Sequence, residues 1–268
     1  MRRGGRVFAA VLGASLARGF LVQLTTRPPG GTATWAQKNY AGRTVTRLGG
    51  PAYALGVVTA LPLVGGSART RMATALAAGA AASVGAYDDV AGDDTARGLV
   101  GHGSRLAAGQ VTTGTVKVAG LAAGGLAAGI LLHRKKRDAF VAGALIAGCA
   151  NLANLLDLRP GRAIKAGLLG GLGATRGPAG PAVATGLGAA AALLPEDLAE
   201  RIMLGDSGAG ALGAVVGVGL ASNATPAALR RRLAVVSALT VASEFVSFSD
   251  VIDSVPLLRG VDRLGRRR

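Results

Sequence analysis

Five short polar motifs interrupt a chain otherwise dominated by Ala, Gly, Leu and Val, and each carries groups able to do chemistry. In Gly148-Cys-Ala-Asn-Leu-Ala-Asn-Leu-Leu-Asp157, the residues Asn151, Asn154 and Asp157 recur every third position at the end of an apolar run. On a helix, at about 100° per residue, they fall within about 120° of arc and point the same way. Two amides and a carboxylate at the mouth of an apolar helix are costly to bury unless something coordinates or hydrogen-bonds them. A ligand site is the leading reading, with hydrogen bonding between helices or a C-terminal cap as the alternative.

The other motifs are of the same kind. Asp88 and Asp89 are adjacent acids that close a second apolar run, and such a pair implies a cation, a basic partner or a general base. A solvated helix end is the plainer reading, although negative charge there opposes the helix dipole. Thr112-Thr-Gly-Thr-Val-Lys117 gathers hydroxyls, amides and an ammonium where a run begins, which suits an anion or, equally, a capped helix with a snorkelling lysine. Asp206 stands between glycines in Gly205-Asp-Ser-Gly208, as an N-cap or as a ligand to a hard metal. Such an ion takes one or two carboxylates plus substrate phosphates, which Asp206 with Asn154 would begin to supply. In the first loop, Lys38 and Arg43 are placed to meet phosphate or simply to face solvent.

The elements that must position these groups are apolar. Of 268 residues half are hydrophobic, and apolar runs fall near 7–24, 50–66, 72–87, 117–132, 139–156, 163–175, 179–195, 208–221 and 233–249. A soluble domain of this length would show polar helix faces throughout. The composition therefore predicts an all-α, polytopic integral membrane helical bundle of about nine or ten transmembrane helices, forming a single domain over residues 1–268. The many Gly and Ala residues suit close helix packing in lipid. Arg18, inside the first run, is expected to face protein, and no cleavable leader is expected at the N-terminus.

With nine alternating spans, every acidic residue except Asp138 and Glu244 falls on one face of the membrane. Lys and Arg are divided almost evenly between the faces, so charge alone does not orient the chain. The net charge of +16 sits in short clusters with few aromatics, which favours anionic headgroups and phosphate substrates and speaks against nucleic acid. One Cys and two His make a zinc or iron site unexpected, and any metal should be a hard ion held by oxygen.

Taken in order, Asn39 to Gly50, Asp88-Asp89, Thr112 to Lys117, Asn151-x-x-Asn154-x-x-Asp157 and Gly205-Asp-Ser-Gly208 resemble the polyprenyl-phosphate N-acetylhexosamine-1-phosphate transferase superfamily. They cover roughly residues 39 to 210. The resemblance implies a multi-pass protein of the plasma membrane with its active face cytoplasmic, acting in peptidoglycan and cell-wall glycan synthesis. It implies Mg²⁺, or Mn²⁺ in its place, held by Asn154 and Asp206. Asp88 and Asp89 would engage or deprotonate a polyprenyl phosphate. Lys117, Asn151, Asp157 and Arg97 would contact the nucleotide sugar or its phosphates, joined by Arg43. A homodimer is compatible with this picture.

Two departures from the family pattern matter. After Asp157, where the family continues with a second Asp-Gly, this chain reads Leu158-Arg-Pro-Gly-Arg162, and Arg159 and Arg162 are expected to bind a phosphate instead. The family's histidine-rich loop near the C-terminus is absent from the sequence. The alternative is therefore a catalytically silent member that binds polyprenyl phosphate or scaffolds a cell-wall complex.

Overall fold

A computed structural model describes residues 3–92, 105 and 111–266 of the chain, and these are mostly helical. The chain opens with α1 (Arg3–Thr26), a one-turn α2 (Thr32–Trp35) and a small antiparallel hairpin, β1 (Ala36–Lys38) and β2 (Thr44–Thr46). There follow α3 (Gly49–Ala60), α4 (Ala68–Ala91), α5 (Thr113–Leu132), α6 (Lys136–Leu156), α7 (Arg162–Leu172), α8 (Gly180–Leu198) and α9 (Gly205–Ala221). The C-terminal part comprises α10 (Pro226–Ala242), α11 (Phe248–Ser254) and α12 (Pro256–Arg263).

Hydroxyl caps set several of these starts. Ser67, Thr112 and Thr225 each accept a hydrogen bond from the backbone amide three residues on, and Pro226 occupies the first turn of α10. Beyond the Asp206-Ser207 pair of its first turn, helix α9 is apolar around its circumference and is correspondingly buried, packed among α3, α4, α6, α7 and α8. α1 packs on α8 and α3, α5 bridges α4 and α6, and α10 lies against α6. The core is made mainly of Ala with Leu and Val and a few Ile, and among the described residues Tyr53 is the largest wholly buried side chain.

α1, α5 and α6 are long and apolar enough to cross a membrane, and α3 and α9 are shorter apolar helices. α7 differs from these long helices. Its 11 residues rise about 17 Å, little more than half of a hydrocarbon core of about 30 Å. The polar ends of α4, α6 and α8 and the starts of α3, α5, α7 and α9 meet at one end of the bundle, as the contacts below establish. Arg18, 47 % exposed at the side chain, sets its guanidinium 2.9 Å from Glu196 on α8.

Candidate functional site

The site is built where the end of α4 meets the start of α9. Gly85 allows the approach: a Cβ there would stand 2.5 Å from the Asp206 carbonyl and the Ser207 amide, so no larger residue fits without moving one helix. Gly205, at φ +61°, turns the chain into α9 in the left-handed region that glycine adopts without strain. The turn aims the first amides of α9 at Asp89, whose two carboxylate oxygens accept from Asp206 N at 3.1 Å and Ser207 N at 3.0 Å. An acid from a different helix thus caps α9 and complements its dipole. Arg47, in the turn before α3, lies 3.8 Å from the same carboxylate.

Asp88 and Asp206 share a cation. The Lys117 ammonium, from the first turns of α5, lies 3.2 Å from Asp88 and 2.7 Å from Asp206. Lys117 is 15 % exposed and Asp206 32 %, so the group is covered on one side and open on the other.

α6 contributes the amide side. Asn154 lies against Gly210, where its Oδ1 is 3.3 Å from the position a Cβ would take, and Gly210 is one turn along the same face of α9 from Asp206. Both polar atoms of the Asn154 amide are buried without a hydrogen-bond partner, as are Asp157 Oδ2 and Ser207 Oγ. Asp157 stands just beyond the last turn of α6 as its C-cap. Burial, and then repulsion from Asp197, Asp206 and Asp89, push its carboxyl well above the ordinary range, with the nearby Gly205 amide opposing the shift.

Buried oxygens without partners are the donors a hard cation takes, so the residues present fit Mg²⁺. Among the described residues no three His, Cys, Asp or Glu converge as ligands. The chain would thus give one or two ligands, Asp206 and Asn154, and substrate phosphates and water the rest.

The remaining candidates are placed differently. Asn151 is half-buried on α6, one turn deeper than Asn154. Arg43 pairs with Glu200 at 3.1 Å, beside the Asn39 amide at 2.5 Å. The Arg159 guanidinium lies 4.5 Å over the Tyr40 ring. Arg162, expected to meet a phosphate, is 4 % exposed and forked onto Asp262 of α12, Nε to Oδ1 at 2.8 Å and Nη2 to Oδ2 at 3.2 Å. It anchors the C-terminal tail. Arg97 lies outside the described residues.

Sequence reasoning missed Arg47, Asp197, Glu200 and Asp262. Arg47 sits inside the Asn39–Gly50 motif and could have been singled out there as the cation next to the glycines. Glu200 carries a positive φ of 55°, uncommon for a side chain larger than Asn, which local sequence does not announce.

No protein-family model matches the chain, and none of the curated proteins matches it in sequence.

Proposed function

We propose that the protein is a membrane-embedded sugar-1-phosphate transferase, which moves a hexosamine 1-phosphate from a UDP-sugar to a polyprenyl phosphate and releases UMP. One observation supports this most directly: Asp88, Asp206 and Lys117 come from three helices far apart in sequence and meet within hydrogen-bonding distance. In this reading the chain crosses the plasma membrane nine or ten times, α7 being a partial crossing, and the site opens to the cytoplasm.

The chemistry follows from the groups in place. An oxygen of the lipid phosphate attacks the sugar-proximal phosphorus of the donor, a new P–O–P linkage forms, and the bond to the UMP phosphate breaks. Asp88 takes any proton that the lipid phosphate carries. Lys117 neutralises the pyrophosphate oxygens, and charge neutralisation with positioning is what phosphoryl transfer needs. Asp89 acts through Asp206, by fixing the start of α9. Mg²⁺, bound by Asp206 and Asn154, would supply Lewis-acid polarisation of the phosphates. Polyprenyl phosphate and the nucleotide sugar are the partners, and a homodimer is compatible.

A second reading, a silent protein that only holds lipid phosphate, draws on the same Lys117, which already neutralises both carboxylates without a metal. Return of labelled UMP into a UDP-sugar, with lipid phosphate and Mg²⁺ in detergent, separates the two. Exchange should be abolished by Asp88→Asn and by Asp206→Ala in protein that stays folded. Full activity of Asp206→Ala would remove the metal assignment, and lipid binding without exchange by any sugar nucleotide would favour the silent reading.

A further inference from the structure

The end of the bundle away from Asp206 holds a second cavity. Helix α9, 17 residues and about 25 Å long, separates the two: Asp206 stands in its first turn, and Asn223 lies just beyond its last. Asn223 lines a cavity of about 920 Å³ with Arg3 and Arg6 of α1 and with Arg176 and Pro178 of the α7–α8 connection. Three guanidiniums thus surround one space, and among the described residues no carboxylate lines it.

Helix packing puts these cations there. α1 buries Ala9, Gly13, Ala17 and Leu21 along one stripe, and a Cβ at Gly13 would clash with the Thr185 carbonyl of α8. Arg6 and Arg3 extend that stripe toward the N-terminus, within about 120° of arc at about 100° per residue, so the contact that joins α1 to α8 also aims both side chains at the cavity. Arg6 is half-buried, and its Nη1 donates to the Thr175 carbonyl at 3.3 Å. A carbonyl positions a guanidinium without neutralising it, and among the described residues none of the three arginines pairs with a carboxylate. The facing wall is stiff: Gly66 sits at φ +106°, and a Cβ there would meet Pro181 at 3.6 Å.

Three like charges held around one space repel one another, and an anion relieves that repulsion. The guanidinium fork matches phosphate oxygens, and three of them without an acid suit a ligand of more than one negative charge. The volume lies near the top of the range for ligand pockets, about 300–1,000 Å³, which is more than a single phosphate fills. The surroundings are basic too. Arg69 and Arg71 open α4, residues 134–137 precede and open α6, and residues 230–232 lie on α10, with Asp138 the acid among them. His133 reaches the Ala221 carbonyl at 3.2 Å and Arg232 the Leu220 carbonyl, so these segments share the end of the bundle where α9 stops. Because α1 is long and apolar enough to cross a membrane and the cavity adjoins its first turns, the cavity falls at headgroup depth, where basic pockets between helix ends take anionic lipids. We propose that this cavity receives the headgroup of an anionic lipid carrying two phosphates, from the leaflet opposite the Asp206 site. The inference does not rest on the transferase reading.

Removing charge from inside and outside the cavity tests this. The full-length protein in an uncharged detergent is titrated with short-chain diphosphatidylglycerol and read by native mass spectrometry, with phosphatidylglycerol and inorganic pyrophosphate as separate arms. Arg3→Gln combined with Arg176→Gln takes two charges from the cavity at exposed positions, and Arg230→Gln combined with Arg231→Gln takes two from exposed positions at the same end outside it. The cavity pair should weaken diphosphatidylglycerol by about tenfold or more and the outside pair by about twofold or less. An unchanged unfolding temperature without lipid reports that each variant is folded. Phosphatidylglycerol, with one phosphate, should bind about tenfold more weakly, and pyrophosphate should not displace the lipid. Equal weakening by the two pairs would reduce the effect to diffuse attraction and overturn the proposal. So would pyrophosphate binding as tightly as the lipid, which would make a soluble anion the occupant, and so would no lipid binding by the unmodified protein.

Discussion

Lys117 and Asp206 are joined across the α5–α9 interface by a 2.7 Å ion pair, and the same ammonium reaches Asp88 at 3.2 Å. The pairing makes Lys117 the group on which two carboxylates depend. Lys117→Met leaves Asp88 and Asp206 facing each other without a cation, and one of them must take up a proton. Exchange is expected to fall by about 100-fold or more, the scale of losing one preorganised charge at a phosphoryl site. Exchange rate against pH checks it, since the residual activity should depend on pH differently from that of the unmodified protein.

Gly85 and Gly79 lie on the same helix and predict opposite outcomes. A Cβ at Gly85 meets the backbone of Asp206 and Ser207 at 2.5 Å, whereas one at Gly79 meets nothing within 4 Å. Gly85→Ala should destabilise by about 1–3 kcal/mol, as overpacking does, and lose exchange. Gly79→Ala should be neutral or stabilising by about 0.5–1 kcal/mol, because it removes backbone freedom from the unfolded chain. Thermal unfolding in detergent compares the two.

Arg162 and Asp262 form a bidentate pair, each side chain 4 % exposed, with Arg266 adding a second contact at 2.6 Å. Removing one partner strands a buried charge, so Arg162→Ala should cost about 3–5 kcal/mol and release α12 to protease. Limited proteolysis read by mass spectrometry checks this. Burial alone would raise the Asp262 carboxyl, but the hydrogen bonds and charge of Arg162, with Arg266 and Lys165, hold it below the ordinary range. A depressed carboxyl contributes stability that is complete above an unfolded value of about 3.9 and lost as pH falls through the folded one. The tail should therefore stay docked at pH 5 and detach only in stronger acid.

Glu200 latches the hairpin from a left-handed backbone position. Glu200→Ala removes both contacts and keeps a Cβ at positive φ, where backbone strain is of order 1–3 kcal/mol. Glu200→Gly relieves the strain and still loses the latch. Cleavage within residues 36–46 should rise in both variants, and the Gly variant should melt at the higher temperature.

Much of this arrangement could be read from residue order. Oxygen-bearing side chains that terminate apolar runs are conspicuous because they are costly there, and Asp88, Asp89, Asn154, Asp157 and Asp206 all lie where α4, α6 and α9 end or begin. The runs 117–132 and 139–156 correspond to α5 and α6. The run 233–249 does not correspond to one helix. α10 starts earlier, at Pro226 behind the Thr225 cap, takes in Arg230 to Arg232, and stops at Ala242. Charge density was a poor boundary there, since Arg232 folds back onto the Leu220 carbonyl at the end of α9. The β1–β2 hairpin is too short to show a period, and its Asn39 side chain, accepting from Ala41 N and Arg43 N, makes a turn instead. The Arg162–Asp262 pair joins residues 100 positions apart, and one sequence offers no signal for such a partner.

The carboxylate that finishes α9 belongs to a helix 117 residues upstream. α9 is the most enclosed rod of the bundle, yet its opening turn is completed only when α4 has docked beside it. Assembly of the rim and consolidation of the interior are consequently one event, and a chain that has reached its native packing has necessarily brought Asp88 alongside Asp206.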